Sequence, residues 1–227
     1  MLKIWLRKIL KWFFGDSYIK TKVKLRNKQK VFVIGMNKTG TTSLEYALKE
    51  QGYILGRQRT AELLLDDLII GNYDSLINFC KTAEAFQDFP FSVPGVYKKI
   101  HEAFPNSKFI LSHRDTPEQW FNSLVNFHSK IWGNGKIPTD KILKQTSYVY
   151  LGYPWKSMQF LFGNKIYDKS KYCEIYQNHI SDVTKFFDSR TDQLLILNVA
   201  NEDSYTKFCH FLNLVPMHSS FGWLNKT

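Results

Sequence analysis

The residues best suited to chemistry lie in the segment Gly35–Ser43, whose sequence is GMNKTGTTS. It follows Val31–Ile34, an apolar and β-branched run that predicts a buried strand, and it leads into Thr42–Gln51, which predicts a helix ending at Gly52. Such a junction directs backbone N–H groups and the positive end of the helix dipole at one point, and Gly40 lets a ligand approach the backbone. The segment therefore predicts a site for a phosphate-bearing nucleotide, and the alternative is a plain turn capped by Thr and Ser.

The order of residues in this loop departs from the common nucleotide-binding motif G-x-x-x-x-G-K-[ST]. Gly35 and Gly40 have the required separation, but Thr41 stands where that motif has its lysine, and Lys38 lies two residues before the second glycine. No hydrophobic run ending in Asp stands out as a magnesium site. A P-loop kinase-like nucleotide phosphotransferase therefore remains an alternative and is not the favoured interpretation.

Arg114 and Asp88 each follow a predicted strand. Because ligands of open α/β sheets bind beyond the carboxyl ends of the strands, both side chains should face the same crevice as the loop. A planar guanidinium suits a phosphate dianion, and a carboxylate can accept a proton. The structural alternatives are a surface ion pair between Arg114 and Asp115, and a bracing role for Asp88 in the turn before Pro90.

Together these motifs resemble those of sulfotransferases that use 3′-phosphoadenosine 5′-phosphosulfate, and the resemblance spans residues 30–227. The order Lys-Thr-Gly-Thr-Thr-Ser resembles the 5′-phosphosulfate loop of that family, and His113–Ser123 resembles its 3′-phosphate motif, in the form found in small bacterial-type members. The tail Phe221–Thr227 is also similar to the family. Two features depart from the pattern: Ser123 follows Arg114 by nine residues, one more than in many animal members, and Gly222 stands where Pro is usual.

The resemblance implies specific roles. Lys38 would contact the oxygen that bridges phosphorus and sulfur, and Arg114 and Ser123 would bind the 3′-phosphate. Asp88 would be the general base for the acceptor hydroxyl, with His128 as its rival. The donor-binding residues would be Asn37, Lys38, Thr39, Gly40, Thr41, Thr42, Ser43, Arg114 and Ser123. The product would be 3′,5′-adenosine bisphosphate, and no metal is implied.

The implied activity is transfer of a sulfuryl group to a hydroxyl or amino group of an acceptor that the sequence does not identify. A small molecule, a carbohydrate and a lipid-linked glycan all remain open, since the aromatic residues of the 133–170 segment could stack on sugar rings, line an apolar pocket or simply pack. A second alternative is a non-catalytic, membrane-associated nucleotide-binding adaptor. A degenerate loop would favour the adaptor, yet Lys38, Arg114 and Ser123 are all present.

The elements that must position these residues alternate along the chain. Besides Val31–Ile34, strands are predicted at Ala85–Gln87, Phe109–Ser112 and Leu194–Val199. Besides Thr42–Gln51, helices are predicted at Pro94–Ala103, Pro117–Ile131, Tyr172–Phe187 and Ser204–Leu212. This alternation predicts an α/β fold, with a P-loop-type parallel sheet and helices on both faces in a single domain. The 133–170 segment is predicted to be an insertion on the substrate side.

The chain carries a net charge of +11, and most of it is concentrated at the N-terminus. Residues 1–30 contain ten Lys or Arg and one acid, whereas the other 197 residues are nearly balanced, which argues against a nucleic-acid partner. Residues 1–14 have an apolar and a basic face at helical spacing, which suits an anionic membrane surface, or packing on the domain or a partner. We therefore divide the chain into a basic amphipathic segment, 1–29, and a sulfotransferase-like domain, 30–227.

The three cysteines, Cys80, Cys173 and Cys209, form no CxxC pair. Their odd number argues against a disulfide framework and favours a reducing compartment. The predicted location is the cytoplasm, with peripheral attachment to the inner face of a membrane through residues 1–14.

Overall fold

The computed structural model describes residues 29–222 as a four-stranded parallel sheet covered by helices. The strands are β1 (Val31–Val33), β2 (Ala85–Phe86), β3 (Lys108–Ser112) and β4 (Leu194–Leu197), in the order β2-β1-β3-β4. Their parallel direction places the segments that follow all four strands at one edge of the sheet. The predicted α/β class is confirmed.

Ten helices lie within the described residues. They are α1 (Thr41–Glu50), α2 (Gln58–Glu62), α3 (Leu65–Ile69), α4 (Asp74–Phe79), α5 (Val96–Ala103), α6 (Pro117–Ile131), α7 (Asp140–Gln145), α8 (Tyr153–Phe162), α9 (Lys169–Phe186) and α10 (Ser204–Phe211). The bounds of α6 are those predicted from the sequence, and α1, α5, α9 and α10 differ from their predictions by one to three residues at either end. The sequence analysis did not predict α2, α3, α4, α7 or α8.

Alternation along the strands builds a core on each face of the sheet. Phe32 and Phe109 point to one face and stack 5.5 Å apart, in a cluster that also contains residues of α3, α4, α5 and α9. Val31 and Val33 point to the other face, where α1 and α10 cover them. Since side chains alternate across a strand, a short apolar run buried on both faces needs helices on both sides. Helices therefore cover both faces of the sheet, as the sequence predicted.

The segment 133–170 packs against one end of this body. Its helix α8 contributes Met158 and Phe162 to a third apolar cluster, which is centred on Trp120 of α6 and Tyr172 of α9. The rings of Phe162 and Tyr172 stack with centroids 3.8 Å apart. This third apolar cluster therefore holds the segment in place, and the segment lies beside the residues that follow β1 and β2.

The three cysteines are buried and free. Within residues 29–222 no helix combines the length and apolar character needed to cross a bilayer. The amphipathic segment predicted at residues 1–14 and the last residues of the tail, 223–227, lie outside the described residues.

Candidate active site

The loop between β1 and α1 leaves the start of α1 open toward the crevice. Gly40 occupies the position just before the helix in a left-handed conformation, with φ at 97°, and no side chain caps the first turn. Two glycines are required by close approach: a Cβ at Gly35 would lie 2.2 Å from the Ser112 hydroxyl, and one at Gly40 would lie 2.7 Å from Val199. The Ser43 and Leu44 N–H groups already donate to the Gly40 carbonyl, at 3.0 and 3.2 Å, so the first turn offers an anion the N–H groups of Thr41 and Thr42 together with the helix dipole.

Several hydroxyls of the loop already have protein partners. The Thr39 hydroxyl donates to the Met36 carbonyl at 2.6 Å and shares a hydrogen bond of 2.7 Å with Ser112, while the Ser43 hydroxyl donates to the Gly222 carbonyl at 2.9 Å. Thr41 is buried and Thr42 is exposed. The structure therefore offers backbone N–H groups at this site more readily than the row of hydroxyls that the sequence suggested.

Replacing Gly40 by alanine should disrupt this loop. The new Cβ would meet Val199 at 2.7 Å in a backbone conformation that disfavours side chains, which should cost about 1–3 kcal/mol of stability and weaken anion binding. Gly52→Ala is the matched control, because Gly52 has φ at 77° but nothing within 4 Å of its Cβ. Thermal unfolding and calorimetric titration with 3′,5′-adenosine bisphosphate would measure both effects. Equal behaviour of the two variants would contradict the proposed close approach at Gly40.

Lys38 projects from the loop in a strained backbone conformation, with φ at 70°. Its ammonium group lies 4.2 Å from the centroid of the Phe127 ring, a cation–π contact. Partial burial, followed by the nearby positive charges of Arg114 and Lys130, lowers the pKa of Lys38. The ammonium is thus held at the mouth of the crevice, beside residues of α6.

Arg114 joins the segment after β3 to the phosphate loop. Its Nε–H donates to the Lys38 carbonyl at 2.8 Å, and its backbone N–H donates to the Tyr176 hydroxyl at 2.8 Å. Among the described residues no ion pair joins Arg114 to Asp115, whose carboxylate accepts a hydrogen bond from the Asn198 side chain at 2.6 Å. Ser123 lies within α6 and is half-buried. Arg114 is therefore fixed against the loop.

Trp120 has a structural part in this arrangement. Its indole N–H donates to the Asn37 carbonyl at 2.9 Å, and its ring stacks on Tyr176 at 4.4 Å with an interplanar angle of 11°. It is almost fully buried. Trp120 and Tyr176 thus tie α6 and α9 to the loop.

Asp88 follows β2 by two residues and also has a positive φ, of 61°. One carboxylate oxygen accepts the Phe89 backbone N–H at 2.7 Å. Burial raises the pKa of Asp88 to about 6, with smaller contributions from the negative charges of Glu62 and Glu45, whereas the Phe89 hydrogen bond and Lys38 lower it. A carboxylate with this pKa can accept a proton near neutral pH.

His128 lies on α6 and is buried. Its Nδ1 shares a hydrogen bond of 3.1 Å with the Tyr167 hydroxyl, and its ring is 4.5 Å from that of Trp132. Burial, with a further effect of Lys38, lowers the pKa of His128 to about 3. The imidazole is therefore neutral across the physiological range.

A cavity of about 470 Å³ opens between these residues and the 133–170 segment. Asn37, Asp88 and His128 line it, and so does Phe127, on which the Lys38 ammonium rests. The remaining lining residues are Met36, Glu62, Phe89, Ser92, Trp120, Leu124, Ile131, Trp132, Thr146, Ser147, Tyr148, Tyr153, Ser157, Met158, Leu161 and Phe162. The cavity has the size and mainly apolar lining typical of small-molecule sites.

The sequence analysis missed Glu62, a buried acid of α2 that faces this cavity. No motif surrounds it, and it lies 26 residues before Asp88, so nothing in the sequence links the two. Its carboxylate is 3.2 Å from the Arg59 guanidinium. Burial is the largest influence on Glu62 and raises its pKa.

In the part of the chain that the structure describes, no three His, Cys, Asp or Glu side chains are grouped so that they could hold a metal ion. Within the crevice the charges of Arg114, Lys130 and Asp88 act on Lys38.

A family model described as the sulfotransferase domain matches residues 30–227. Because the match covers most of the chain, the protein belongs to the sulfotransferase family and is a transferase enzyme. Its general reaction is transfer of a sulfuryl group. No curated protein matches the chain.

Proposed function

We propose that the enzyme transfers a sulfuryl group from 3′-phosphoadenosine 5′-phosphosulfate to an acceptor hydroxyl. The observation that carries the proposal is the hydrogen bond from Arg114 Nε–H to the Lys38 carbonyl. It joins two residues that follow adjacent strands of the sheet. In the proposal Arg114 binds the 3′-phosphate, and Lys38 contacts the leaving phosphate oxygen. Membership of the sulfotransferase family supports this choice of donor, which is typical of the family.

The donor would lie along the edge of the sheet. The N–H groups of Gly40, Thr41 and Thr42, at the open first turn of α1, would hold the 5′-phosphate, which is an anion. Arg114 and Ser123 would hold the 3′-phosphate, the group that distinguishes this donor from ATP. The guanidinium of Arg114 suits that dianion because its planar fork can give two hydrogen bonds.

The acceptor hydroxyl would enter from the cavity beside Asp88. In the transfer, the acceptor oxygen forms a bond to sulfur, the bond from sulfur to the phosphate oxygen breaks, and the acceptor proton passes to Asp88. Lys38 would stabilise the charge that develops on the departing phosphate oxygen, an interaction worth most in the transition state. The raised pKa of Asp88 suits a base that must accept a proton near neutral pH.

The donor assignment predicts a binding preference. The protein should bind 3′,5′-adenosine bisphosphate at least about tenfold more tightly than ADP or ATP and without magnesium, since one extra charged contact is worth about 1.5–3 kcal/mol. Calorimetry with and without magnesium would measure this. Arg114→Lys should reduce the preference, because an ammonium cannot give the two-pronged contact, and Arg190→Lys, on the surface after α9, is the control.

Two other results would each favour one of the alternative functions. Magnesium-dependent ATP binding with no preference for the 3′-phosphate would favour the kinase-like phosphotransferase. Tight bisphosphate binding without transfer of labelled sulfate to any acceptor, including water, would favour the nucleotide-binding adaptor.

A further inference from the structure

The rings that line the cavity form a continuous belt. Phe89 meets Tyr153 at 6.2 Å, Tyr153 meets Tyr148 at 6.0 Å, Tyr148 meets Trp132 at 6.1 Å, and Trp132 meets His128 at 4.5 Å. All five rings face the same cavity. Because α6, α8 and the segment after β2 contribute to the belt, it encloses a site whose walls offer mainly apolar surface.

Three of the hydroxyls that line the cavity already donate to protein acceptors and cannot donate to a sugar. The Ser92 hydroxyl donates to the Asn37 side chain at 3.4 Å, the Thr146 hydroxyl to the Ile142 carbonyl at 2.8 Å, and the Ser157 hydroxyl to the Pro154 carbonyl at 3.1 Å. A carbohydrate would bring many hydroxyls into this space, and each one left without a partner costs free energy. The lining therefore favours an acceptor with few polar groups.

The charges of the lining are acidic. Glu62 and Asp88 both face the cavity, and no lysine or arginine is among the described residues that line it. The two carboxylates are close enough for the charge of Glu62 to act on Asp88. Arg59, the partner of Glu62, is more than half exposed and lies against the Tyr148 ring with its guanidinium carbon 4.4 Å from the centroid, so it contacts Glu62 from the outer side. An acceptor that carried its own negative charge would meet both acids.

We propose that this cavity takes a largely apolar alcohol or phenol that carries no negative charge, and that Glu62 is the residue that rejects anionic acceptors. The proposal rests on the proposed sulfuryl transfer and adds the class of acceptor to it. Ile131 and Tyr148 line the cavity and are each 44% exposed, so an apolar molecule longer than the cavity would find apolar surface at its mouth.

The test uses three acceptors that share a hydroxyphenyl group: 4-propylphenol, tyramine and 3-(4-hydroxyphenyl)propionate, with lactose as the sugar. Affinity is measured by calorimetry in the presence of 3′,5′-adenosine bisphosphate, and transfer by labelled sulfate. We expect 4-propylphenol and tyramine each to bind more tightly than the propionate, by at least about tenfold, because like charges in an apolar site repel strongly. Lactose should not bind measurably.

The variant Glu62→Gln removes the negative charge of this side chain and nearly keeps its shape. It should reduce the discrimination against 3-(4-hydroxyphenyl)propionate severalfold and leave bisphosphate affinity unchanged. Asp66→Asn is the matched control, because it removes the same charge from the neighbouring helix α3, where Asp66 is exposed and pairs with Lys156 at 2.7 Å. That control should keep the discrimination of the natural protein.

The outcomes distinguish the two proposals. Tighter binding of lactose or the propionate than of 4-propylphenol, or no measurable binding of any of the four, would overturn the acceptor class while bisphosphate binding still supports the donor site. Unchanged discrimination in Glu62→Gln would remove the selective role of Glu62. Failure to bind 3′,5′-adenosine bisphosphate would instead overturn the proposed function.

Discussion

Replacing Lys38 by alanine should lower kcat by about 10²–10³-fold, the usual loss when one group that stabilises developing charge is removed. In the proposed mechanism its ammonium acts on the departing phosphate oxygen, where negative charge grows as the bond to sulfur breaks. Binding of 3′,5′-adenosine bisphosphate should change much less, because the loop amides and Arg114 remain. The fold should persist, since the aliphatic part of Lys38 is only half-buried.

Single-turnover transfer of labelled sulfate at saturating donor would measure this loss without interference from product release. Lys130→Ala is the matched control: Lys130 lies on α6, is exposed, and its charge acts on Lys38. That variant removes the same charge from the same neighbourhood and should retain most of the activity. If the two variants lost activity equally, the effect would come from the general field of the crevice, and Lys38 would have no specific part.

Much of the architecture could be predicted from the sequence because it depends on local signals. The β-branched run of Val31–Ile34 followed by glycines marks a strand and its turn, and α6 begins at Pro117 after a capping Thr116, whose hydroxyl accepts the Gln119 N–H at 3.1 Å. The residues that follow the strands then meet because the sheet is parallel. This rule is sufficient to bring Lys38, Arg114 and Asp88 to one edge.

The cavity could not be predicted in the same way, because it depends on contacts between segments that are distant in the chain. The α2 helix has only five residues, and its side chains orient it by donating to carbonyls elsewhere in the chain: Gln58 donates to the Phe89 carbonyl at 2.8 Å, and Arg59 donates to the Tyr148 carbonyl at 3.1 Å. These bonds span about 30 and 90 residues. No local pattern encodes them, so the position of Glu62 emerges only from the assembled fold.

Backbone strain also marks the site. Five described residues other than glycine have a positive φ, and three of them are Asp88, Asn134 and Asn213, residue types for which this conformation is more common. The other two are Lys38 and Tyr167, the latter being the hydrogen-bond partner of His128. Such conformations cost of order 1–3 kcal/mol each and persist where surrounding packing enforces them. The surrounding packing therefore holds these backbone conformations at a cost in stability, beside the groups that would carry out the transfer.

The second large effect on the transfer rate should come from replacing the general base. Asp88→Asn should lower the transfer rate by about 10²–10⁴-fold, since the amide has nearly the same shape but cannot accept the proton. His128→Gln should have a smaller effect on the rate, because the pKa of His128 is lowered to about 3 and a base so weak gains little from taking a proton. In the natural protein the rate should rise with pH through about 6, as Asp88 loses its proton.

The pH profile of each variant then identifies the group. The rise near pH 6 should persist in His128→Gln and should be absent from the residual activity of Asp88→Asn. Calorimetric binding of 3′,5′-adenosine bisphosphate to both variants would establish that the donor site is intact. A profile that kept its rise in Asp88→Asn would exclude Asp88 as the base.

Stability should move in the opposite direction to activity in Asp88→Asn. Folding raises the pKa of this carboxyl from its ordinary value near 4 to about 6, so the folded state holds the proton more tightly than the unfolded state does. The ionised form therefore costs stability, and that cost develops as the pH rises from about 4 to 6 and stays constant above. The amide carries no such cost and can still accept the Phe89 N–H.

Asp88→Asn should accordingly be more stable than the natural protein at pH 8, by up to about 3 kcal/mol, and nearly equal to it at pH 4. Urea unfolding at the two pH values would measure the difference, and a variant that was less stable at pH 8 would show that Asp88 serves the fold rather than the reaction.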